Sequence, residues 1–150
     1  MKIAIAADHG GYELKETLKA YIEDLGHDVV DFGTNSKESV DYPDFAKKLS
    51  ESVAKGNENL GVLICGTGIG MSISANKVRG IRAACVSESF GARMARQHNN
   101  ANVICLGARV IGDEVAKMIV DEFLSNEFLG ERHSRRVDKI MEIEKESYNG

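Results

Sequence analysis

Residues 60–70 read Leu-Gly-Val-Leu-Ile-Cys-Gly-Thr-Gly-Ile-Gly, an apolar run that ends in glycines at alternate positions. An apolar run without polar alternation predicts a strand buried on both faces, as in a parallel sheet. The glycines at 66, 68 and 70 permit a tight turn after that strand, and the segment 71–77 predicts a helix. This stretch therefore predicts a buried strand, a glycine loop (residues 66–70) and a helix in direct succession.

The same alternation of strand and helix extends through the rest of the chain. Apolar runs bounded by Gly or Asp recur at 3–7, 29–32, 81–86 and 103–106. Segments of helical period lie at 14–25, between Pro43 and Gly56, and at 90–98, 114–124 and 134–148. We therefore predict a Rossmann-like three-layer α/β/α fold, doubly wound around a five-stranded parallel sheet. No linker or repeat divides the sequence, so we expect a single domain over 1–150.

Composition and charge exclude several classes of protein. The chain has 19 Lys and Arg against 23 Asp and Glu, and this net charge of −4 disfavours non-specific binding to nucleic acid or a membrane surface. No apolar run approaches the roughly 18 residues that a membrane-spanning helix needs. Met1 leads directly into a predicted strand rather than a signal peptide. We therefore expect a cytoplasmic protein without nucleic-acid or membrane partners.

The three cysteines differ in their positions. They are too few for a disulfide framework, and Cys85 and Cys105 lie inside apolar runs, which predicts that both pack in the core. Cys65 is the last residue of its predicted strand, and the backbone N–H groups of the loop that follows could stabilise a thiolate. Position alone leaves two interpretations of Cys65, a functional thiolate and a buried core thiol.

The predicted strand ends indicate where a ligand binds, because the carboxyl ends of parallel strands meet at one edge of the sheet. The glycine loop could direct several N–H groups at an anion or a developing oxyanion, or it could be a plain turn. Its spacing fits neither a dinucleotide-binding motif nor a phosphate-binding P-loop.

Histidine and arginine side chains provide further candidates. His9 lies at a strand end beside two glycines, and His98 closes a predicted helix, as either a cap or a catalyst. Arg132 and Arg136 are four residues apart at the start of the last helix. They could clamp a phosphate or form salt bridges with neighbouring acidic side chains.

Together these segments closely resemble the family of type B ribose-5-phosphate isomerases. The similarity runs from about Lys2 to Glu144, and the motifs keep their order and spacing. The segments that carry it are 61–70, Ser-Ala-Asn-Lys at 74–77, Gly-Ile-Arg-Ala at 80–83, Ala-Asp-His-Gly at 7–10, Asp-Tyr-Pro at 41–43, Arg-Gln-His-Asn at 96–99, and Arg-His at 132–133 with Arg136.

The resemblance implies an aldose–ketose isomerase that interconverts ribose 5-phosphate and ribulose 5-phosphate through an enediolate, without metal or cofactor. By this resemblance Cys65 is the base that transfers the proton, and His98, assisted by Thr67, opens the sugar ring. The other substrate-binding residues that it implies are Gly66, Gly68, Ile69 and Gly70 at the enediolate oxygens, His9, Arg132 and Arg136 at the phosphate, and Asp8, Tyr42, Asn99 and Arg109 at the sugar.

The resemblance also bears on the branch of the family and on its assembly. One branch has a carboxylate base at the position of Met71 and lacks the cysteine, so Met71 together with Cys65 indicates the thiolate branch. Relatives form homodimers, in some cases dimers of dimers, whose sites take residues from both subunits. We expect His98, Asn99 and Arg109 to cross into the partner's site and the helix at about 134–148 to pack on the partner.

Two alternatives stay open at this point. A galactose-6-phosphate or allose-6-phosphate isomerase would share the fold, although the combination of Cys65, Thr67 and His98 with the paired arginines favours the pentose substrate. A non-catalytic nucleotide-binding α/β domain is the alternative from another class, because Glu88 follows a predicted strand where such folds hold a ribose. The loop's glycine spacing and the paired arginines count against it.

Overall fold

Five strands form one parallel sheet in the computed structural model, which describes residues 1–149. Their bounds are β1 Lys2–Ala7, β2 Asp28–Asp31, β3 Leu60–Cys65, β4 Ala83–Cys85 and β5 Val103–Gly107. The strand order is β2-β1-β3-β5-β4, so the apolar run that precedes the glycine loop forms the central strand, β3. Every residue of β3 is buried, as its uninterrupted apolar run predicts.

Helices cover both faces of the sheet. Their bounds are α1 Tyr12–Asp24, α2 Tyr42–Ala54, α3 Ile69–Ala75, α4 Ser89–Asn99, α5 Asp113–Ser125 and α6 Arg132–Asn149. The apolar faces of α1, α4 and α5 pack on one side of the sheet, and those of α2 and α3 pack on the other. The three-layer arrangement predicted from the alternating pattern is therefore confirmed. No helix within residues 1–149 is both long enough and apolar enough to cross a membrane.

The prediction that Cys85 is core filler is wrong. β4 covers only the middle of the predicted run 81–86 and pairs with β5 alone, at the edge of the sheet. Cys85, its last residue, is exposed because no strand or helix covers that end. The prediction for Cys105 is confirmed, since Cys105 is completely buried and burial raises the pKa of its thiol well above the ordinary value.

The direction of the strands decides where each helix ends. Because all strands are parallel, α4 begins beside the carboxyl end of β4 and must return to the other edge before β5 starts. Hydrogen bonds show that return: Asn102, just after α4, donates to the carbonyl of Arg82 and accepts from the N–H of Gly61, both next to strand starts. The last residues of α4 therefore lie at the amino edge of the sheet, opposite the glycine loop.

Candidate active site

Cys65 lies at the carboxyl end of the central strand, and its side chain points into the glycine loop. Only 5% of the residue is exposed, and its Sγ accepts a hydrogen bond of 3.1 Å from the N–H of Gly68. Gly68 adopts the left-handed conformation (φ 79°) that lets the loop fold back over the sulfur. An N–H donor directed at the sulfur stabilises negative charge on it, which is the requirement for a reactive thiolate.

The loop also presents N–H groups that are available for a ligand. Among the described residues, the backbone N–H groups of Gly66, Thr67 and Gly70 have no protein acceptor. The N–H of Ile69, in contrast, donates to Thr67 Oγ1 at 3.2 Å. Three free donors beside one sulfur can hold an anion or an oxyanion, which favours a binding loop over a plain turn.

Close packing holds the loop in place on two sides. A Cβ added at Gly107, the last residue of β5, would lie 2.7 Å from the backbone of Thr67. A Cβ added at Gly70 would lie 2.7 Å from Cζ of Tyr42, so that the tyrosine ring rests directly on the loop. Tyr42 begins α2 and is 40% exposed, which makes it one wall of the site.

The end of β1 lies beside the loop. Asp8 is buried, and its Oδ1 accepts hydrogen bonds from the N–H groups of Gly10 at 2.9 Å and Gly11 at 3.1 Å. The N–H of Val40 donates to Nδ1 of His9 at 3.1 Å. A neutral imidazole whose Nδ1 accepts must carry its proton on Nε2, so His9 presents an N–H donor to a ligand.

Arg109 follows β5 and contacts the loop of its own chain. Its N–H donates to the carbonyl of Gly66 at 3.0 Å, and its Nη1 lies 3.4 Å from the position of a Cβ on that glycine. This arginine therefore contacts the loop of its own chain, and its reach into a partner's site stays a prediction.

A second thiol lies next to the loop. Sγ of Cys85 is 3.8 Å from the carbonyl oxygen of Thr67. Partial burial and the neighbouring Cys65 raise the pKa of the Cys85 thiol, so it remains protonated near neutral pH. Cys85 is therefore a neighbour of the loop rather than a second base, and its position at an edge-strand end could not be inferred from its apolar flanks.

The remaining predicted residues gather at the opposite, amino edge of the sheet. His98, near the end of α4, stacks on His133 of α6, with ring centroids 4.1 Å apart and an interplanar angle of 11°. Arg132 and Arg136 lie on the same first turns of α6, and neither forms a salt bridge with the described acidic residues. The salt-bridge interpretation of this pair is therefore wrong.

Electrostatics in this imidazole cluster (His98, His133, Arg132 and Arg136) favour a neutral His133 ring. Burial lowers the pKa of His133, and the nearby His98, Arg132 and Arg136 lower it further, against a smaller opposite effect of Glu131. The sequence indicated His133 only as part of the Arg-His motif at 132–133, without a role of its own.

One chain does not bring its predicted site residues together. Asp8, His9, Tyr42, Cys65 and Arg109 surround the glycine loop, but His98 and Asn99 stand at the far end of α4. That helix has 11 residues and is therefore about 16 Å long. The site divides into a thiol half-site at the carboxyl edge and an imidazole half-site at the amino edge.

Comparison with known proteins identifies the family. The family model described as Ribose/Galactose Isomerase matches residues 3–140. The chain belongs to this family. Ribose-5-phosphate isomerase B of Escherichia coli (strain K12) is 48% identical over 143 residues, which make up 95% of this chain and 96% of that protein.

Solved structures of the Ribose/Galactose Isomerase family share the fold. Ribose-5-phosphate isomerase B of Clostridium thermocellum matches with a TM-score of 0.97 at 54% identity, covering 98% of this chain and 99% of that chain. The enzyme of the same name from Mycoplasma genitalium, solved with bound ribulose-5-phosphate, matches with a TM-score of 0.93 at 46% identity, covering 97% of each chain. The predicted fold class and the family resemblance are both confirmed.

Proposed function

We propose that this chain is an aldose–ketose isomerase that interconverts ribose 5-phosphate and ribulose 5-phosphate. The observation that carries the proposal is the thiol half-site, in which a buried cysteine is followed directly by a loop with three unpaired backbone N–H groups. Relatives at 46–48% identity carry this activity in their names, and one binds ribulose-5-phosphate.

The chemistry needs a base and a stabilised oxyanion. The Cys65 thiolate takes the proton from C2 of the open-chain aldose, and the C–H electron pair moves toward the carbonyl oxygen on C1 to form an enediolate. The free N–H groups of Gly66 and Gly70 stabilise the developing negative charge on oxygen. The C2 hydroxyl gives its proton to the C1 oxygen, and the thiol returns the first proton to C1, so that C1 becomes a CH2OH group and C2 becomes the carbonyl of the ketose. Neither a metal nor a cofactor enters these steps.

The imidazole half-site carries the other two tasks. Ribose 5-phosphate arrives as a closed ring, so an acid–base group must open it, and His98 with Thr67 fills that role. Arg132 and Arg136 hold the phosphate, together with the Nε2 donor of His9. Two guanidinium groups without acidic partners are well suited to a dianion. Asp8, Tyr42, Asn99 and Arg109 contact the rest of the sugar.

A homodimer would unite the two half-sites. The imidazole half-site of one subunit would then face the thiol half-site of the other, so that His98, Asn99, Arg132 and Arg136 act across the interface. Four large apolar side chains of the glycine loop, α3, α4 and the segment after β5 are more than half exposed, as expected of a surface that a second subunit covers: Ile69, Ile73, Phe90 and Val110. Ile140 and Ile143 of α6 are exposed as well, and we expect this helix to pack on the partner subunit.

An isomerase assay tests the proposal. We expect ribulose 5-phosphate to form from ribose 5-phosphate at the same rate with and without a chelator, and faster than allose 6-phosphate or galactose 6-phosphate is converted. Faster conversion of either hexose phosphate would show that the substrate is that hexose phosphate and not ribose 5-phosphate. Tight binding of ATP or NAD in calorimetry, without turnover of any sugar phosphate, would instead indicate a nucleotide-binding domain.

A further inference from the structure

The ring of His98 is held by another ring. Among residues 1–149, neither the His98 ring nor the His133 ring has a hydrogen-bond partner. The contact that fixes the His98 ring is the parallel stack on His133, at 4.1 Å between centroids. His133 is buried, whereas His98 is half-buried.

A network of hydrogen bonds fixes the position of His133. The N–H of Leu129 donates to the carbonyl of Gln97, and Nε2 of Gln97 donates to Oδ1 of Asn126 at 2.7 Å. These two bonds tie the loop before α6 to the last turn of α4. The N–H of His133 then donates to the carbonyl of Gly130 at 3.0 Å, which closes the first turn of α6 beneath the His98 ring.

Orientation is a requirement for an acid–base imidazole. A catalytic base is usually aligned by a third group that holds its second nitrogen through a hydrogen bond. Here a flat ring takes that place and leaves both nitrogens of His98 free for the sugar. Burial lowers the pKa of His133, and the positive charges of Arg132 and Arg136 lower it further, which favours a neutral supporting ring.

We propose that His133 is the positioning residue for His98, aligning its imidazole for ring opening by aromatic stacking. This inference rests on the proposed isomerase function. It differs from a role of His133 as a phosphate ligand, because stacking needs only a flat ring, whereas a ligand needs a nitrogen. It also assigns His133 to a single step of the reaction.

Three variants separate these roles. His133→Ala removes the ring, His133→Gln keeps a polar donor without a ring, and His133→Phe keeps a ring without a donor. We expect the kcat for ribose 5-phosphate to fall on the order of 10-fold to 100-fold in the first two variants and to recover within about threefold of wild type in the third. KM should change little in all three.

Ribulose 5-phosphate provides a readout that bypasses ring opening. Its C5 hydroxyl is esterified, so it stays open-chain, and incorporation of solvent deuterium at C1 needs the thiol half-site and the phosphate clamp but no ring opening. We expect this exchange to persist at close to the wild-type rate in all three variants. An equal loss of exchange and turnover would overturn the assignment of His133 to ring opening.

Two other results would also overturn the proposal. One is a His133→Phe variant no more active than His133→Gln, a comparison that decides the matter even where His133→Ala fails to fold. The other is a raised KM with unchanged kcat, which would make His133 a phosphate ligand. The ring-proton NMR signals of His98, assigned with His98→Asn, should shift in His133→Gln and stay near the wild-type position in His133→Phe. An unchanged spectrum in His133→Gln would refute the stack, and this readout is independent of isomerase activity.

Discussion

The two half-sites are built from different parts of the polypeptide. The thiol half-site at the carboxyl edge uses mostly backbone: one sulfur, three free N–H groups and glycines against which other atoms pack closely. The imidazole half-site at the amino edge uses side chains from two helix ends, namely two stacked imidazoles and two guanidinium groups. Backbone donors can be placed with little freedom, which suits proton transfer at carbon. Longer side chains suit a ring and a phosphate that enter and leave.

The difference also explains why the halves belong to opposite edges. A parallel strand delivers its last residue to the carboxyl edge, where a loop can curl over it. A helix that follows such a strand delivers its last residue to the amino edge. Two subunits facing each other can therefore join a strand-end thiol to a helix-end imidazole, which one chain of this topology leaves apart.

The largest effect is expected from Cys65→Ala. Removing the base while keeping the loop should lower kcat by about 10³-fold or more and leave the fold and phosphate affinity largely intact. Steady-state kinetics and circular dichroism check this. Cys85→Ala is the matched control, because it deletes a thiol beside the same loop, and it should retain activity within about twofold of wild type. Substantial turnover by Cys65→Ala would remove this thiol from the role of base.

Mixing two inactive variants tests whether the halves come from different subunits. Cys65→Ala and His98→Asn each spoil one half-site, and a mixed dimer would contain one site with both halves intact. Random pairing should restore about a quarter of wild-type activity after co-expression, since half of the dimers are mixed and each has one working site. No recovery in mixed dimers isolated by two affinity tags would show that each site is made within one chain.

Arg136→Ala should affect binding more than chemistry. The phosphate lies away from the reacting carbons and is held equally in the ground and transition states, so we expect KM to rise roughly tenfold with kcat little changed. Arg135→Ala provides the control, because Arg135 is the neighbouring exposed arginine on the same helix and is not part of the proposed clamp. Equal effects of the two substitutions on KM would show that the helix attracts the phosphate by its overall positive charge rather than by a specific contact from Arg136.

The thiol half-site was the easier half to predict from sequence. Its parts follow one another along the chain, since β3 ends in Cys65 and the glycines come next, so local pattern and position coincide. The prediction that Cys85, at the end of β4, packs in the core was wrong because burial there depends on residues distant in sequence. The apolar flanks of Cys85 do not reveal that its strand lies at the sheet edge, which is a property of strand order.

The imidazole half-site depends on tertiary arrangement. His98 and His133 are 35 positions apart and meet only because residues 126–131 turn α6 back onto α4, with Gly130 at φ 69° and Glu131 at φ 52°. A non-glycine residue in the left-handed region has no strong sequence signal. The motif resemblance located His98 and the arginines, but the stack between the rings became visible only in the folded chain.

The smallest expected effect concerns stability in acid. The carboxyl and amino edges of the sheet should lose stability in different pH ranges. At the carboxyl edge, buried Lys15 donates to Oδ2 of Asp31 at 2.7 Å, and the N–H of Gly33 donates to its Oδ1 at 2.8 Å. Burial raises the pKa of Asp31, but these hydrogen bonds and the charges of Lys15 and Lys19 outweigh it and leave that pKa below 3.8. At the amino edge, the pKa of His133 lies below 6.5.

Both lowered pKa values make the folded state bind fewer protons than the unfolded state, so each group loses its stabilising contribution as the pH falls. His133 loses its contribution as the pH falls below 6.5, and Asp31 loses its contribution as the pH falls below 3.8. The free energy of unfolding, measured with urea at fixed protein concentration, should therefore depend less on pH below 6.5 in His133→Phe than in wild type. Below pH 3.8 it should depend less on pH in Asp31→Asn. Asp31→Asn should also be less stable at pH 7, because the buried charge of Lys15 then keeps only the partly exposed carboxylate of Glu16 as a partner. A stability curve for Asp31→Asn that runs parallel to wild type below pH 3.8 would exclude Asp31 as the acid-sensitive group of the carboxyl edge.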